Sequence, residues 1–330
     1  MHELRKDPLL GRWVAVLNDS KPPEAYDATT EKRNETSCVL CAGNETKTPK
    51  EIASVREDGK WWARVIPNFE PVFQIEGELG RKGLGMYDKM NGIGANELIV
   101  ETPEHTKQPE DIGVEQVMRV LRLYRERIAD LERDPRLRYT LIYKDSGRSA
   151  GASFTHPHSE IAATPVIPKQ VKEELDGAKQ YFVYKERCIF CDMMREELRF
   201  GDRIISETRD FLVFSPFAPR FPFEFWVLPK KHSCAFQDIS DAETEDLGLT
   251  LSRMLKNMRS ILKDPPYSYV LHTAPNRVPR RNHWHTLGED FHWHIEIMPR
   301  LLRTSGFEWG SGFHILTTSP EDAAKYLREA

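Results

Sequence analysis

The chain has 330 residues, which is long for a single hydrophobic core and fits two domains. Charged residues make up 30% of it, yet the formal net charge is only -4, which argues against a general nucleic-acid binder because such domains carry a basic excess. No apolar run approaches the roughly 20 residues that cross a bilayer, and the start, MHELRKDPLLGRW, lacks the apolar centre of a signal peptide, so we expect a cytoplasmic protein.

The same order of sequence features occurs twice along the chain. The first half contains CVLC, NELIVETPEH, a long helical stretch, RYTLIYKD and THPHSEIAATP. The second half contains CIFC, FEFWVLPKKH, a long helical stretch, YSYVLHTAP and FHWHIEIMP. This order predicts an internal duplication, with one domain at residues 1–165 and the other at 166–330.

Hydrophobic spacing predicts the elements between these motifs. Apolar residues recur at helical intervals in GVEQVMRVLRLYRERIADLERD and ISDAETEDLGLTLSRMLKNMRSIL, the second with Ser240 or Asp241 as N-cap. DGAKQYFVYKE is a third candidate helix, and YTLIYK, FLVFS, FEFWVL, YSYVLH and HWHIEIM are short strand-like runs. Helices separated from meandering strands predict an α+β fold with antiparallel sheets.

The cysteines indicate metal sites rather than disulfides. Four of the five form two C-x-x-C pairs, and the fifth, Cys234, is interpreted as a small buried apolar residue. Zinc prefers four sulfur or imidazole ligands, so each pair needs two histidines. Matching positions across the repeat gives the two predicted ligand sets: Cys38, Cys41, His105 and His156, and Cys188, Cys191, His232 and His292.

Explanations of these cysteines and histidines without a metal ion remain open. Buried free thiols and core histidines would explain either set alone, but the same layout in both halves favours metal. A redox role is disfavoured because neither pair opens a thioredoxin-like βαβ unit. Four protein ligands leave no position for water, so we expect two structural zinc ions.

The first H-x-H pair is the better candidate for catalysis. Residues i and i+2 of a strand share a face, so His158 would lie beside a metal-bound His156 as a fixed, neutral nucleophile. DSGRSAGAS directly precedes it and offers glycines and serines for contact with an anion, although a plain flexible loop would explain the same residues. The second pair follows TLGED, whose acidic residues would repel phosphate.

The chain resembles the galactose-1-phosphate uridylyltransferase family, the transferase branch of the histidine-triad superfamily. The similarity rests on LRKDPLLGRWV, RVIPNFEPVF at 64–73, the H-P-H block, FAPRFPFEFWVLPKKH and GFEWGSG at 306–312. AGAS, LDGAKQYF and DPPYSYVLHTAP are closest to the plant phosphorylase-like members. The resemblance implies two similar histidine-triad-like halves and transfer of a nucleotidyl group through a covalent bond to histidine.

The resemblance also implies roles for individual residues. His158 matches the nucleophile, and His156, Cys38, Cys41 and His105 match zinc ligands. The substrate-binding residues carried over are Asn68 for the nucleotide, Asp145, Gly151 and Ser153 for the phosphates, and Phe307 and Glu308 for the sugar.

Three departures from the family pattern put the substrate in question. Glu160 stands where the family has a catalytic glutamine, Asp145 stands where asparagine is usual, and after GRWV only Lys21 is near instead of arginines. Glu160 could be protonated, turned away, or paired with a cation such as Arg148. The basic loop PNRVPRRNHWHT, with Arg277, Arg280 and Arg281, could supply the missing charge or be a plain surface loop.

We therefore expect a nucleotidyltransferase of galactose metabolism that moves a nucleoside monophosphate between UDP-glucose and a hexose 1-phosphate. An ADP-sugar phosphorylase with phosphate as acceptor is the alternative, a hydrolase comes third, and a non-catalytic zinc-stabilised nucleotide binder comes from another class. The expected partners are a nucleoside diphosphate sugar, a sugar 1-phosphate and a second copy of the chain. Nucleic acid and membrane are not expected.

Overall fold

Fifteen strands build the β-structure of the computed structural model, which describes residues 1–26, 38–278 and 284–330. They are β1 (Glu3–Lys6), β2 (Trp13–Val16), β3 (Ala53–Glu57), β4 (Lys60–Pro67), β5 (Lys82–Leu84), β6 (Tyr87–Lys89), β7 (Ala95–Val100), β8 (Tyr139–Ser146), β9 (His158–Thr164), β10 (Ile204–Glu207), β11 (Phe211–Phe214), β12 (Phe225–Pro229), β13 (Tyr267–His272), β14 (His294–Pro299) and β15 (His314–Leu316). Ten of them form one sheet in the order β10-β11-β12-β14-β13-β8-β9-β7-β4-β3.

This sheet carries the repeat. Its first half runs β3-β4-β7-β9-β8 and its second half runs β10-β11-β12-β14-β13, so the two halves have the same strand order. They meet where β8 pairs antiparallel with β13, with Lys144 opposite Tyr269. The predicted α+β fold of two similar halves is confirmed, and the two half-sheets are continuous with each other. The domain boundary at 165/166 stays a prediction.

Helices cover the sheet unequally on its two faces. They are α1 (Val114–Leu131), α2 (Lys169–Lys185), α3 (Ile189–Phe200), α4 (Asp241–Leu262), α5 (Leu287–Asp290), α6 (Gly306–Ser311) and α7 (Pro320–Glu329). On one face α1 and α4 pack on buried strand residues from both halves, such as Ile161 and Ile297. Ser240 caps α4 in a capping box with Glu243, which stabilises the helix by about 1 kcal/mol.

The other face is closed over the second half and more open over the first. In the second half α2 and α3 bury Phe214, Trp226 and Leu228. In the first half only a small apolar cluster, which includes Leu40, Leu98 and Val100, covers the corresponding strands. In the first half, the end of β8 and the start of β9 therefore line a cavity.

Two smaller sheets complete the fold. β15 runs parallel to β2, so the C-terminal segment packs against the N-terminal hairpin of β1 and β2. β5 and β6 form a separate exposed hairpin. Among the described residues, none of the helices has the length and apolar character needed to span a membrane.

Candidate active site and metal clusters

The first predicted ligand set comes together next to the start of β9. His156 Nδ1 lies 3.3 Å from His105 Nδ1, 3.6 Å from Cys41 Sγ and 3.8 Å from Cys38 Sγ, and Cys41 Sγ lies 3.5 Å from His105 Nδ1. The far nitrogen of His156, Nε2, donates to the carbonyl of Thr102 at 2.7 Å, which leaves the Nδ1 lone pair facing the cluster.

These distances fit a tetrahedral metal ion. Zinc–nitrogen bonds of about 2.05 Å and zinc–sulfur bonds of about 2.3 Å place neighbouring ligand atoms about 3.3 Å (N to N) and about 3.5 Å (N to S) apart. The N-to-N and N-to-S separations in the cluster are close to these values. The residues present therefore suit a four-coordinate metal.

The second predicted set forms a matching cluster. Cys191 Sγ lies 3.4 Å from His232 Nδ1 and 3.6 Å from His292 Nδ1, and Cys188 is close enough to complete the set. His292 Nε2 donates to the carbonyl of Pro229 at 2.9 Å, and His232 Nε2 donates to Gly288 at 3.0 Å. Both clusters thus present Nδ1 atoms and thiols to a common centre.

His158 lies beside the first cluster with one ring nitrogen engaged. Its Nδ1 is 2.8 Å from the carbonyl oxygen of His156, and because a carbonyl only accepts, Nδ1 carries the proton and Nε2 keeps a lone pair. The side chain is buried, and burial, aided by the nearby Lys144 charge, lowers the pKa of His158 to about 4. A neutral imidazole with a free Nε2 is the form required of a nucleophile.

A small cavity opens at His158. It has a volume of about 30 Å³ and is lined by the end of β8, the following loop and the H-P-H segment, and across from them by Asp264, Pro265 and Pro266 of the second half. Gly147 and Gly151 have φ of 86° and 111°, a region that favours glycine. A Cβ at Gly151 would also lie 3.4 Å from Asp145 Oδ2. The loop therefore needs glycine to fold back over the cavity.

Glu160 lies on the same face of β9 as His158 and has neutral partners. Its Oε2 accepts from the Tyr143 hydroxyl at 2.9 Å and from Asn68 Nδ2 at 3.1 Å. Burial raises the pKa of Glu160, and Asp145 raises it further, although the bonds from Tyr143 and Asn68 act in the opposite direction. Two predicted site residues, Asn68 and Glu160, are thus in contact. Tyr143 is a further contact of Glu160 that the sequence analysis did not predict.

Asp145 connects the cavity to a wider groove. The Asp145 carboxylate and Arg300 Nε both bond to the hydroxyl of Ser268, the latter at 3.2 Å. Arg300 also stacks on Phe221, 4.6 Å from the ring centre. A groove of about 680 Å³ runs here past Ser149, Phe221, Arg300, Arg303 and Trp309. Burial raises the pKa of Asp145, and the Arg300 charge opposes that effect.

Some predicted site residues lie away from the cavity lining. Ser153 is exposed and, like Gly151, belongs to the loop above the cavity without lining it. Phe307 and Glu308 lie in α6, where Glu308 accepts from the backbone of Ser305 at 2.7 Å in a capping box. Within one chain the structure does not bring them to His158.

The basic loop is described only in part. Arg277 is used in ion pairs with Asp238 and Glu132. Arg280, Arg281 and His283 lie outside the described residues.

The second H-x-H-x-E strand forms a buried ion network that the sequence did not predict. His294 is stacked between His272 at 4.8 Å and Trp226 at 5.1 Å. His272 Nδ1 lies 2.9 Å from Glu174, and Arg220 pairs with Glu296. Arg220 pairs with Glu296, and His272 pairs with Glu174. We therefore interpret these four side chains as a buried ion network. The first H-x-H pair lines the cavity beneath the glycine loop.

Two family profiles and several relatives match this arrangement. The galactose-1-phosphate uridyl transferase N-terminal domain matches residues 1–168, and the C-terminal domain of the same family matches residues 174–328. The ADP-glucose phosphorylase of Arabidopsis thaliana is 34% identical over 99% of this chain and 92% of its own length. The galactose-1-phosphate uridylyltransferase of Thermotoga maritima is 26% identical over 100% of this chain and 98% of its own length.

Solved structures agree in fold. The Arabidopsis thaliana ADP-glucose phosphorylase with bound ADP-glucose superposes with a TM-score of 0.85 at 34% identity, covering 100% of this chain and 99% of that one. A uridylyltransferase structure superposes with a TM-score of 0.76 at 26% identity, covering 100% and 98%. Fold and clusters together define a protein of two similar α+β halves, with a cavity at the H-P-H segment of the first half. The chain belongs to the galactose-1-phosphate uridyl transferase family.

Proposed function

We propose that the chain is a nucleotidyltransferase that carries a nucleoside monophosphate on Nε2 of His158. The observation that supports it best is the His158 tautomer: Nδ1 donates to the carbonyl of His156, so Nε2 keeps its lone pair, and His158 is one of the residues that line the cavity under the glycine loop. An imidazole held in this way reacts without first losing a proton.

The proposed reaction has two balanced steps. In the first, Nε2 attacks the phosphorus bonded to the nucleoside, and the bond from that phosphorus to the sugar phosphate breaks, so a sugar 1-phosphate leaves with its electron pair. In the second, an oxygen of a phosphate-bearing acceptor attacks the same phosphorus and His158 is restored. The 147–152 turn and the Asn68 amide are the proposed contacts for the negative charge of the transferred phosphoryl group.

Zinc is the proposed metal for both clusters, because thiolates with imidazoles in a closed tetrahedron suit it. Cys38, Cys41, His105 and His156 would hold one ion, and Cys188, Cys191, His232 and His292 the other. When bound, the metal supplies structural rigidity. Since His156 is two residues from His158, the first cluster fixes the start of β9 on which the nucleophile lies.

Two nucleotide sugars are candidates for the donor. Uridylyl transfer between UDP-glucose and a hexose 1-phosphate is supported by the family and by the Thermotoga maritima relative. Adenylyl transfer from ADP-glucose to phosphate is supported by the higher identity and TM-score of the Arabidopsis thaliana enzyme. For the second donor, the basic groove with Arg300 and Arg303 is the proposed entry for phosphate.

The test is a labelling experiment with both donors. The full chain is incubated with UDP-glucose or ADP-glucose carrying label in the nucleoside, without acceptor, and acid-labile label on protein is measured. We expect label on the wild type and on His2→Ala, an exposed histidine control, and none on His158→Ala. Tight nucleotide binding without label on the wild type would instead support a non-catalytic binder. Adding hexose 1-phosphate or phosphate to labelled protein then identifies the acceptor by which one releases the label, and release by water alone identifies a hydrolase.

We also propose a homodimer. The support is the exposure of aromatic residues on α6, where Phe307 is 57% and Trp309 is 80% exposed, because large exposed aromatic side chains are typical of interfaces. Sedimentation should give twice the 38.3 kDa chain mass. Phe307→Ser with Trp309→Ser should shift the species toward the monomer, and an unchanged dimer would exclude this surface.

A further inference from the structure

The strands β8 and β9 separate at the nucleophile. Their ladder pairs Tyr139 with Thr164 and ends at Tyr143 and Glu160, although β9 begins two residues earlier at His158. His158 is paired only on its other side, with Val100 of β7. In the second half the ladder between β13 and β14 continues through His272 and His294, the position equivalent to His158.

The ammonium of Lys144 fills the gap between the separated strands. Lys144 lies on the helix-covered face of the sheet, and its Nζ donates to the carbonyl of His158 at 2.9 Å. The same Nζ donates to Glu101 Oε2 at 2.7 Å, and both side chains are at most 2% exposed. The backbone N–H of Glu101 donates to the carbonyl of Pro157 at 3.1 Å. The Lys144 ammonium thus binds the carbonyl of His158, and the backbone of its ion-pair partner Glu101 binds the carbonyl of the preceding residue, Pro157.

The other half of the chain shows that the fold does not require this pair. Glu160 is paired with Tyr143 and Glu296 with Val270, so the position of Lys144 is taken by Leu271. Leu98 of β7 pairs with Glu160, and Trp226 of β12 pairs with Glu296, so these two residues are equivalent. Three residues further along each chain segment, Glu101 in the first half corresponds to Pro229 in the second. The same strands therefore form with apolar residues where no nucleophile is present. A buried ion pair is costly to desolvate and is often replaced by apolar residues without loss of stability.

We propose that Lys144, held by Glu101, is a positioning residue for the nucleophile: its ammonium replaces the missing ladder hydrogen bond to His158 and keeps the strands apart at the cavity. The proposal rests on the proposed function of His158. With the gap maintained, the imidazole keeps its bond to the His156 carbonyl and Nε2 stays directed at the incoming phosphorus. If the gap closed, as it does at His294, the ring would lie over a paired strand without a cavity.

The decisive variant is Lys144→Leu with Glu101→Leu, which removes both charges and leaves neither buried alone. We expect the rate of single-turnover labelling of His158 to fall by about 10²-fold, because small displacements of a reacting group have effects of that size. The dissociation constant for the nucleotide sugar should change little, and the melting temperature should hold or rise. Lys144→Arg, which can still donate to the carbonyl, should recover part of the rate. A native labelling rate in the double variant would overturn the proposal.

A matched control removes another buried ion pair, one that involves β7, the strand that directly precedes Glu101. Arg127 of α1 pairs with Glu97 of β7 at 2.7 Å, with side-chain exposures of 8% and 4%. Arg127→Leu with Glu97→Leu should leave the labelling rate unchanged whatever it does to stability. Equal rate losses in both double variants would show a general structural effect and overturn the positioning role.

A second readout separates this proposal from the proposed function. The imidazole nitrogen signals of His158 in ¹⁵N NMR are assigned by their loss in His158→Ala. They should move in the Lys144→Leu, Glu101→Leu variant and stay in the control variant. If the wild type takes no label from either donor, the proposed function fails, and this signal alone decides the position of the ring: an unmoved signal overturns the proposal.

Discussion

At the scale of single residues, Glu160 is the side chain that we expect to oppose phosphate binding, because it lies on the same face of β9 as His158. A carboxylate where a glutamine amide is typical would repel the phosphoryl group, and unit charges about 4 Å apart at an effective dielectric of 20 interact by about 4 kcal/mol. The Tyr143 hydroxyl and the Asn68 amide offer hydrogen bonds but no positive charge to the Glu160 carboxylate. Burial raises the pKa of Glu160, whereas the hydrogen bonds from Tyr143 and Asn68 lower it.

This gives a pH prediction for the transfer rate. Because burial raises the pKa of Glu160, the neutral acid persists to a higher pH than for a free glutamate, and it ionises as pH rises through that value. We expect the labelling rate of the wild type to fall on the alkaline side of this ionisation. In Glu160→Gln the alkaline fall should be absent, and the labelling rate near neutral pH should be about tenfold higher or more.

The control for Glu160 is Tyr143→Phe, which removes one bond to the carboxylate and leaves the charge in place. Loss of that hydrogen-bond donor should move the alkaline fall of the labelling rate to a still higher pH. Identical profiles for the wild type and Glu160→Gln would show that the carboxylate does not face the phosphate.

At the scale of elements, the start of β9 places the first Cys/His cluster close to the proposed nucleophile. His156 belongs to the first Cys/His cluster, and His158, two residues later, begins β9. In the second half His292 and His294 repeat the spacing, but His294 is stacked in the core. Two similar clusters should therefore have unequal effects on chemistry.

Replacing one thiol in each cluster tests this inequality. Cys38→Ser and Cys188→Ser should each lose about one equivalent of zinc and some thermal stability, since four ligands close each site. Cys38→Ser should also lose most of the labelling of His158, whereas Cys188→Ser should keep it at temperatures where it remains folded. Metal content by elemental analysis and label per chain are measured on the same samples. Equal activity losses at equal stability would contradict the assignment.

The buried ion network under α2 predicts an alkaline limit to stability. Burial alone would lower the pKa of His272, but the carboxylates of Glu174 and Glu296 raise it to about 10. A raised pKa stabilises the fold fully below the unfolded value of about 6.5, and the stabilisation is lost as pH rises through about 10. Urea midpoints should therefore decline across that window.

His272→Gln should be less stable at pH 6 and should show a much flatter decline toward pH 10. On the acid side, burial would raise the pKa of Glu296, but Arg220 and His272 hold it well below its usual range, so that contribution is lost as pH falls below about 4.5. If His272→Gln lost stability toward pH 10 as steeply as the wild type, the alkaline loss of stability would come from other groups.

At the scale of the whole molecule, one sheet joins both halves through β8 and β13. Leu271 of β13 is 1% exposed and lies beneath α1 and α4, opposite Ile142 of β8. Leu271→Ala should lower the free energy of unfolding by about 2–5 kcal/mol. Calorimetry should show one transition that moves as a whole, because neither half keeps its sheet edge without the other. Two transitions, with only one displaced, would instead indicate independent halves.

The sequence predicted local features well because their signals are local. The periodic helices α1 and α4 and the repeat order are confirmed, and the ligand sets chosen by matching the halves do converge. The prediction that both histidines of each H-x-H pair lie on a strand was wrong, because β9 begins at His158 and β14 at His294. The Lys144–Glu101 pair was not predicted, since it joins residues 43 positions apart whose charges look like surface charges in a linear sequence. The pairing of β15 with β2 was missed for a similar reason: it joins the two ends of the chain.

The narrow cavity at His158 has a kinetic consequence. A space of about 30 Å³ holds little more than one water-sized group, so donor and acceptor phosphates compete for the same entrance. An acceptor that arrives before the donor forms a dead-end complex. Excess acceptor should therefore inhibit the transfer reaction, and a higher donor concentration should relieve that inhibition. The concentration ratio of donor to acceptor would then set the turnover rate without a separate regulatory site.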